Sequence, residues 1–154
     1  FKERVKAGER PENAVDALDI KGQPAMYWYA SNLGRWAKQS GFSTLLREKD
    51  RIKKIMERVM ALDENYFYAG PHRYFGAMYG LAPAFAGGNM DKSKEHFEKA
   101  IAIAPTYLGT RVLFLEVWAQ KEEDEEVWRE QMDILDATAE DALEDAMVLC
   151  LLGA

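Results

Sequence analysis

Met56-Glu57-Arg58-Val59-Met60-Ala61-Leu62-Asp63-Glu64-Asn65-Tyr66 aligns without gaps on Phe97-Glu98-Lys99-Ala100-Ile101-Ala102-Ile103-Ala104-Pro105-Thr106-Tyr107, a shift of 41 residues. An internal repeat constrains a fold tightly, because a helix pair cannot bury its apolar face alone and has to stack on a neighbour. Ser93, Phe97 and Pro105 fit the small residue, the aromatic four later and the helix-ending proline of tetratricopeptide repeats, whose period is about 34 residues. The extra length fits an insertion at Leu81 to Asn89. The expected architecture is all-α, with tetratricopeptide-like helical hairpins stacked as a solenoid and residues 1–154 forming one helical-repeat domain.

Helical periodicity supports this nearly throughout. Ile52, Ile55, Met56 and Val59 recur at i, i+3, i+4, i+7 and predict a helix over about Ser43 to Leu62. Tyr29, Leu33 and Trp36 mark the core stripe expected for Pro24 to Gln39, and Ser93, Phe97, Ala100 and Ile101 that for Met90 to Ile103. Further helices are expected at Thr106 to Lys121 and Asp124 to Asp136, with short ones near Pro11 to Asp19 and Glu140 to Leu152. No run alternates with period two. The breaks carry turn chemistry: Ser40-Gly41, Asp63-Glu64-Asn65, Pro83 with Gly87-Gly88-Asn89, Ala104-Pro105, and the acidic run before Val127.

One stretch does not read as plain core. Tyr66-Phe67-Tyr68-Ala69-Gly70-Pro71-His72-Arg73-Tyr74-Phe75-Gly76 carries five aromatics around a His-Arg pair, a mixture suited to receiving a ligand or partner. Gly70-Pro71 is expected to open a helix, which puts His72 and Arg73 in the first turn, where unpaired N–H groups and a guanidinium suit an anion. The alternative is that Arg73 pairs with a nearby acid and His72 caps the turn. Trp28, Asn32 and Arg35 lie at i, i+4, i+7 on a face offset from Tyr29, Leu33 and Trp36, combining a ring, an amide and a guanidinium as a repeat groove would. Burial of Trp28 between repeats is the competing reading. Trp36, Tyr74 and Phe75 join these as candidate contacts, together with Phe85 in the small-residue loop Pro83 to Gly88.

Charge and motif content narrow the function. Net charge is −6, but Glu116 to Asp145 holds 13 Asp and Glu against 2 Lys and Arg, a net of −11 that leaves +5 elsewhere. Such polarity can steer a partner, although a solvated helical face is the commoner origin of a charge run. The basic run Arg47 to Arg58 is interleaved with Glu48, Asp50 and Glu57, which argues against nucleic acid. Pro83 to Ser93 is not a phosphate loop, since Asp91 occupies the position before Lys92-Ser93 where glycine is required. His72 and His96 lack metal-ligand spacing, and no nucleophile elbow or catalytic triad order stands out, so neither a metal, a cofactor nor catalysis is expected. Cys150 is alone and permits no internal disulfide. No apolar run reaches the ~20 residues that span a bilayer.

Three segments in order, Ala25-Met26-Tyr27-Trp28-Tyr29-Ala30-Ser31-Asn32-Leu33-Gly34-Arg35-Trp36, then Gly70 to Gly76, then Pro83-Ala84-Phe85-Ala86-Gly87-Gly88 followed by Lys94 to Ala100, resemble the T component of TRAP transporters. These are tripartite ATP-independent periplasmic systems for organic acids, and the likeness covers about Ala25 to Ala137. The resemblance implies a periplasmic lipoprotein of tetratricopeptide-like helices, an accessory that binds the substrate-binding P component, a small organic ligand being a further candidate. It also implies a homotrimer, with membrane contact only through an N-terminal lipid anchor. The family's signal, lipidated cysteine and first helices are expected upstream of Phe1.

Overall fold

A short helix, α1 (Lys2–Lys6), opens the chain, and its Arg4 ties down the segment behind it. A computed structural model describes residues 1–138, and within it the guanidinium of Arg4 meets both Glu9 carboxylate oxygens at 2.6 Å, Asp16 at 2.6 Å and the Asn13 carbonyl at 3.0 Å. That fork holds Pro11–Asn13 and Val15–Ala17 as two 3₁₀ turns, where a short α-helix was expected. Side-chain bonds here take the place of an i→i−4 ladder.

The main hairpin is α2 (Gln23–Gln39) and α3 (Phe42–Leu62), joined at Ser40-Gly41. Gly41 adopts φ 104°, a left-handed conformation open to glycine at little cost, and the chain reverses there. From α3, Ile52, Ile55, Met56 and Val59 are all buried, as their spacing predicts. From α2 the buried set is Gln23, Met26, Tyr27, Ala30 and Ala37, not the Tyr29, Leu33 and Trp36 stripe. The correction has a packing reason: alanines let two helices approach closely, so the rotation of α2 buries Ala30 and Ala37 with Tyr27 and turns Tyr29 and Trp36 outward. Gln23 closes the hairpin by donating from Nε2 to the carbonyls of Val59 and Asp63, 3.0 Å each, at the end of α3.

Next comes α4 (Tyr66–Leu81), followed by a 3₁₀ turn at Ala84–Ala86 that ends on Gly87 in the left-handed region. α5 (Met90–Ile103) has the bounds its periodicity predicts, with Asn89 accepting from the Lys92 N–H at 2.8 Å as N-cap. The repeat persists into backbone detail. α3 ends at Leu62 and α5 at Ile103, and the next amide in each case, Asp63 and Ala104, donates to the carbonyl of the repeat-equivalent Val59 or Ala100.

The predicted Thr106 to Lys121 helix is real but not uniform. It runs as α6 (Leu108–Phe114), a π-helical stretch at Leu115–Ala119 and a short α7 (Gln120–Glu122). The wider π turn lets Leu115, Val117, Trp118 and Ala119 all be buried, which a regular 3.6-residue stripe does not allow for four of five consecutive positions. α8 (Glu125–Ala137) is N-capped by Asp124, which accepts from the Val127 N–H at 3.0 Å. The described residues are all-α, with no strand. The helix expected near Glu140 to Leu152 lies outside them.

The chain falls into two compact units, Phe1–Tyr74 and the part from Phe75 on. The first is centred on the α2/α3 hairpin. The second is built on Phe97, Phe114, Leu115, Val117, Trp118 and Ala119. Its close approach depends on Gly80: a Cβ there would lie 2.4 Å from Val117 Cγ1 and 2.7 Å from Ser93 Oγ. Ser93 Oγ donates to the Gly76 carbonyl at 2.8 Å and Trp118 Nε1 to the Met90 carbonyl at 3.0 Å, so these polar atoms of the core are met locally.

Candidate functional site

In the first unit the aromatic stretch opens α4 through an unusual turn. Phe67, Tyr68 and Ala69 have φ of 49°, 55° and 58°, three successive non-glycine residues in the left-handed region. Each such residue costs roughly 1–2 kcal/mol, so surrounding contacts must offset the strain. Two are evident. Arg73 donates from Nη2 to the Phe67 carbonyl at 2.8 Å and from Nη1 to the Tyr68 carbonyl, clamping two carbonyls of the left-handed turn. The Phe67 ring lies 4.9 Å from Trp28 and 5.6 Å from Tyr27 between centroids, and the Arg73 guanidinium sits over it, 5.6 Å from the ring centre. Right-handed geometry takes over after Ala69, where Gly70-Pro71 was expected to open a helix. Gly70 is required by proximity, since a Cβ would stand 2.6 Å from the Tyr27 ring.

This geometry places the predicted residues in two groups. His72 and Arg73 are inside, 3% and 7% exposed. His72 Nε2 lies 3.1 Å from Glu64 Oε2, so the pairing foreseen for Arg73 falls to His72, while Arg73 clamps carbonyls. Tyr74 is half-buried, and burial, with the nearby charge of Glu57 adding, holds its phenol well above the ordinary range and therefore neutral. On α2, by contrast, Trp28, Tyr29 and Trp36 are 39%, 46% and 49% exposed. Asn32 folds back to donate to the Trp28 carbonyl at 2.8 Å, Arg35 is exposed, and Arg51 of α3 sits 5.4 Å from the Tyr29 ring centroid. Phe67 is the residue that sequence reasoning passed over. It couples Trp28 to Arg73, and its membership of the 66–76 aromatic run was the available signal.

In the second unit, Phe75 is buried and stacks on His96, 5.4 Å between centroids, with Tyr79 5.7 Å from the same imidazole. Phe85 is 80% exposed on its 3₁₀ turn. The acidic stretch borders an open groove of about 590 Å³ lined by Trp128, Met132, Arg129 and Glu123 to Glu125. Its neighbouring base, Lys121, donates to the Gly80 carbonyl at 2.9 Å. Among the described residues no cluster of His, Cys, Asp and Glu is placed to hold a metal ion, and no helix is long and apolar enough to cross a membrane.

The described residues define the chain as an all-α helical protein with partly exposed rings on one helix. The particular family follows from comparison: a model of the TRAP transporter T-component matches residues 1–150, and the chain belongs to that family. The match reaches beyond the Ala25 to Ala137 stretch that carried the resemblance. It makes the chain an accessory component of a TRAP transport system. No curated protein matches the chain.

Proposed function

We propose that this T component docks on the substrate-binding P component of its transporter through the ring-bearing outer face of α2. The observation that carries the reading is the exposure of Trp28, Tyr29 and Trp36 on a helix whose core side is already filled by Gln23, Met26, Tyr27, Ala30 and Ala37. Trp, Tyr and Arg are the side chains that anchor interfaces most often, and Arg35 and Asn32 add polar contacts on the same helix. His72, Arg73 and Tyr74 act from inside, holding the turn whose Phe67 braces Trp28. In the second unit Phe85 offers a separate contact, and Phe75 keeps α4 packed on α5. The acidic stretch from Glu116 onward orients the approach. A stacked solenoid, a trimeric state and a lipid-anchored periplasmic location belong to the same proposal, on the family pattern.

The test is co-purification with the P component of the same system. A complex at low salt that weakens as salt rises is expected, with Trp36→Ala and Arg35→Ala each lowering affinity roughly tenfold and leaving the melting temperature unchanged. No complex at low salt would overturn the reading.

A further inference from the structure

Among the arginines in packed surroundings, Arg51 has a buried Nε without a hydrogen bond, but carboxylate oxygens of Glu12 and Glu48 lie 3.5 Å from its guanidinium and neutralise it. Arg73 spends its donors on the Phe67 and Tyr68 carbonyls, and Arg58 donates from Nε and Nη2 to the Leu18 carbonyl at 3.2 and 2.6 Å. Arg111 on α6 is different. It is 8% exposed, its hydrogen bond among the described residues runs from Nη1 to Gln131 Oε1 of α8 at 2.5 Å, and its Nε is buried with no acceptor. No described carboxylate forms an ion pair with it. Gln131 is itself buried, and Thr110, the preceding residue on the same turn, carries a second buried oxygen without a partner.

A guanidinium is charged at every accessible pH, and taking it out of water without an anion is strongly unfavourable. Gln131 supplies a dipole that aims the fork but no neutralising charge. Of its three nitrogens, Nη1 is bonded to Gln131 and Nε is enclosed, which leaves Nη2 as the one an incoming group can reach. We propose that Arg111, oriented by Gln131, is the binding residue for a small oxyanion, whose oxygens meet the guanidinium at Nη2, the nitrogen that is neither bonded to Gln131 nor enclosed. This site is independent of the docking face on α2. The planar fork fits a carboxylate face best and a phosphate face next.

The experiment is thermal denaturation of the full chain at neutral pH with sodium acetate or, separately, sodium phosphate, each against sodium chloride at equal ionic strength. The wild type is expected to show a saturable rise of about 2–4 °C over chloride with at least one of them. A rise with acetate alone assigns a carboxylate ligand, and a rise with phosphate alone a phosphate. R111M is expected to lose the rise, R111K to keep part of it, and Q131L to need several-fold more anion. Wild type that behaves alike in all three salts overturns the proposal, as does R111M that keeps the rise. Should R111M fail to fold, calorimetric titration of the wild type decides: saturable heat with acetate or phosphate beyond that with chloride supports the site, and its absence ends it.

Discussion

In the first unit Trp28, Tyr29 and Trp36 lie outside, while in the second Phe97, Phe114 and Trp118 lie inside, although both units are built of aromatic-rich helices. The difference follows from what fills each core. α2 buries Ala30 and Ala37, small residues that favour a close approach of the neighbouring helix over room for an indole. The second unit places small residues on the opposite partner, Gly76 and Gly80 of α4, and fills the space with rings and Val117. Ring content alone therefore does not separate core from contact surface. The position of the alanines and glycines does.

The comparison breaks most sharply on paired truncations. Phe97→Ala should cost about 3–5 kcal/mol, as expected for a fully buried phenylalanine, while Trp36→Ala should change stability by less than about 1 kcal/mol. Urea denaturation of both variants checks it, and equal losses would place Trp36 in a core. Gly80→Ala tests the glycine side of the argument. Its new methyl has to displace Val117 or Ser93, so a loss of about 1–3 kcal/mol is expected, against a near-neutral Gly34→Ala, whose Cβ would meet Ile52 at an ordinary 4.0 Å.

Arg73→Ala sharpens the account of the first unit. Two carbonyls lose their donor, so a loss of about 1–3 kcal/mol in thermal unfolding is expected, and any weakening of P-component binding should accompany it. Tyr68→Gly, which removes left-handed strain at one position, should recover about 1 kcal/mol of that loss. The smallest effect concerns pH. Hydrogen bonding to Arg4 holds the Glu9 and Asp16 carboxyls below their ordinary values. Depressed carboxylates stabilise the fold above their unfolded pKa of about 4, and that contribution fades as pH falls through the lower folded values. A melting-temperature series from pH 6 to pH 2 should show the decline, and Arg4→Gln should flatten it.

What was legible in the chain was local. The 41-residue repeat, the α5 bounds, the end of α3 at Leu62, the Gly41 reversal and the start of right-handed helix at Gly70-Pro71 all depend on caps, turn residues and apolar period within a few positions. Those interactions act before any tertiary contact exists. Only the tertiary structure decided which side of α2 became core, because that depends on how closely Ala30 and Ala37 let α3 approach. It also decided that His72 and Arg73 turn inward to an acid and two carbonyls, and that Leu115–Ala119 widens into a π turn to bury four side chains at once. Each of these is settled by partners remote in sequence or by a backbone geometry that residue type alone does not specify.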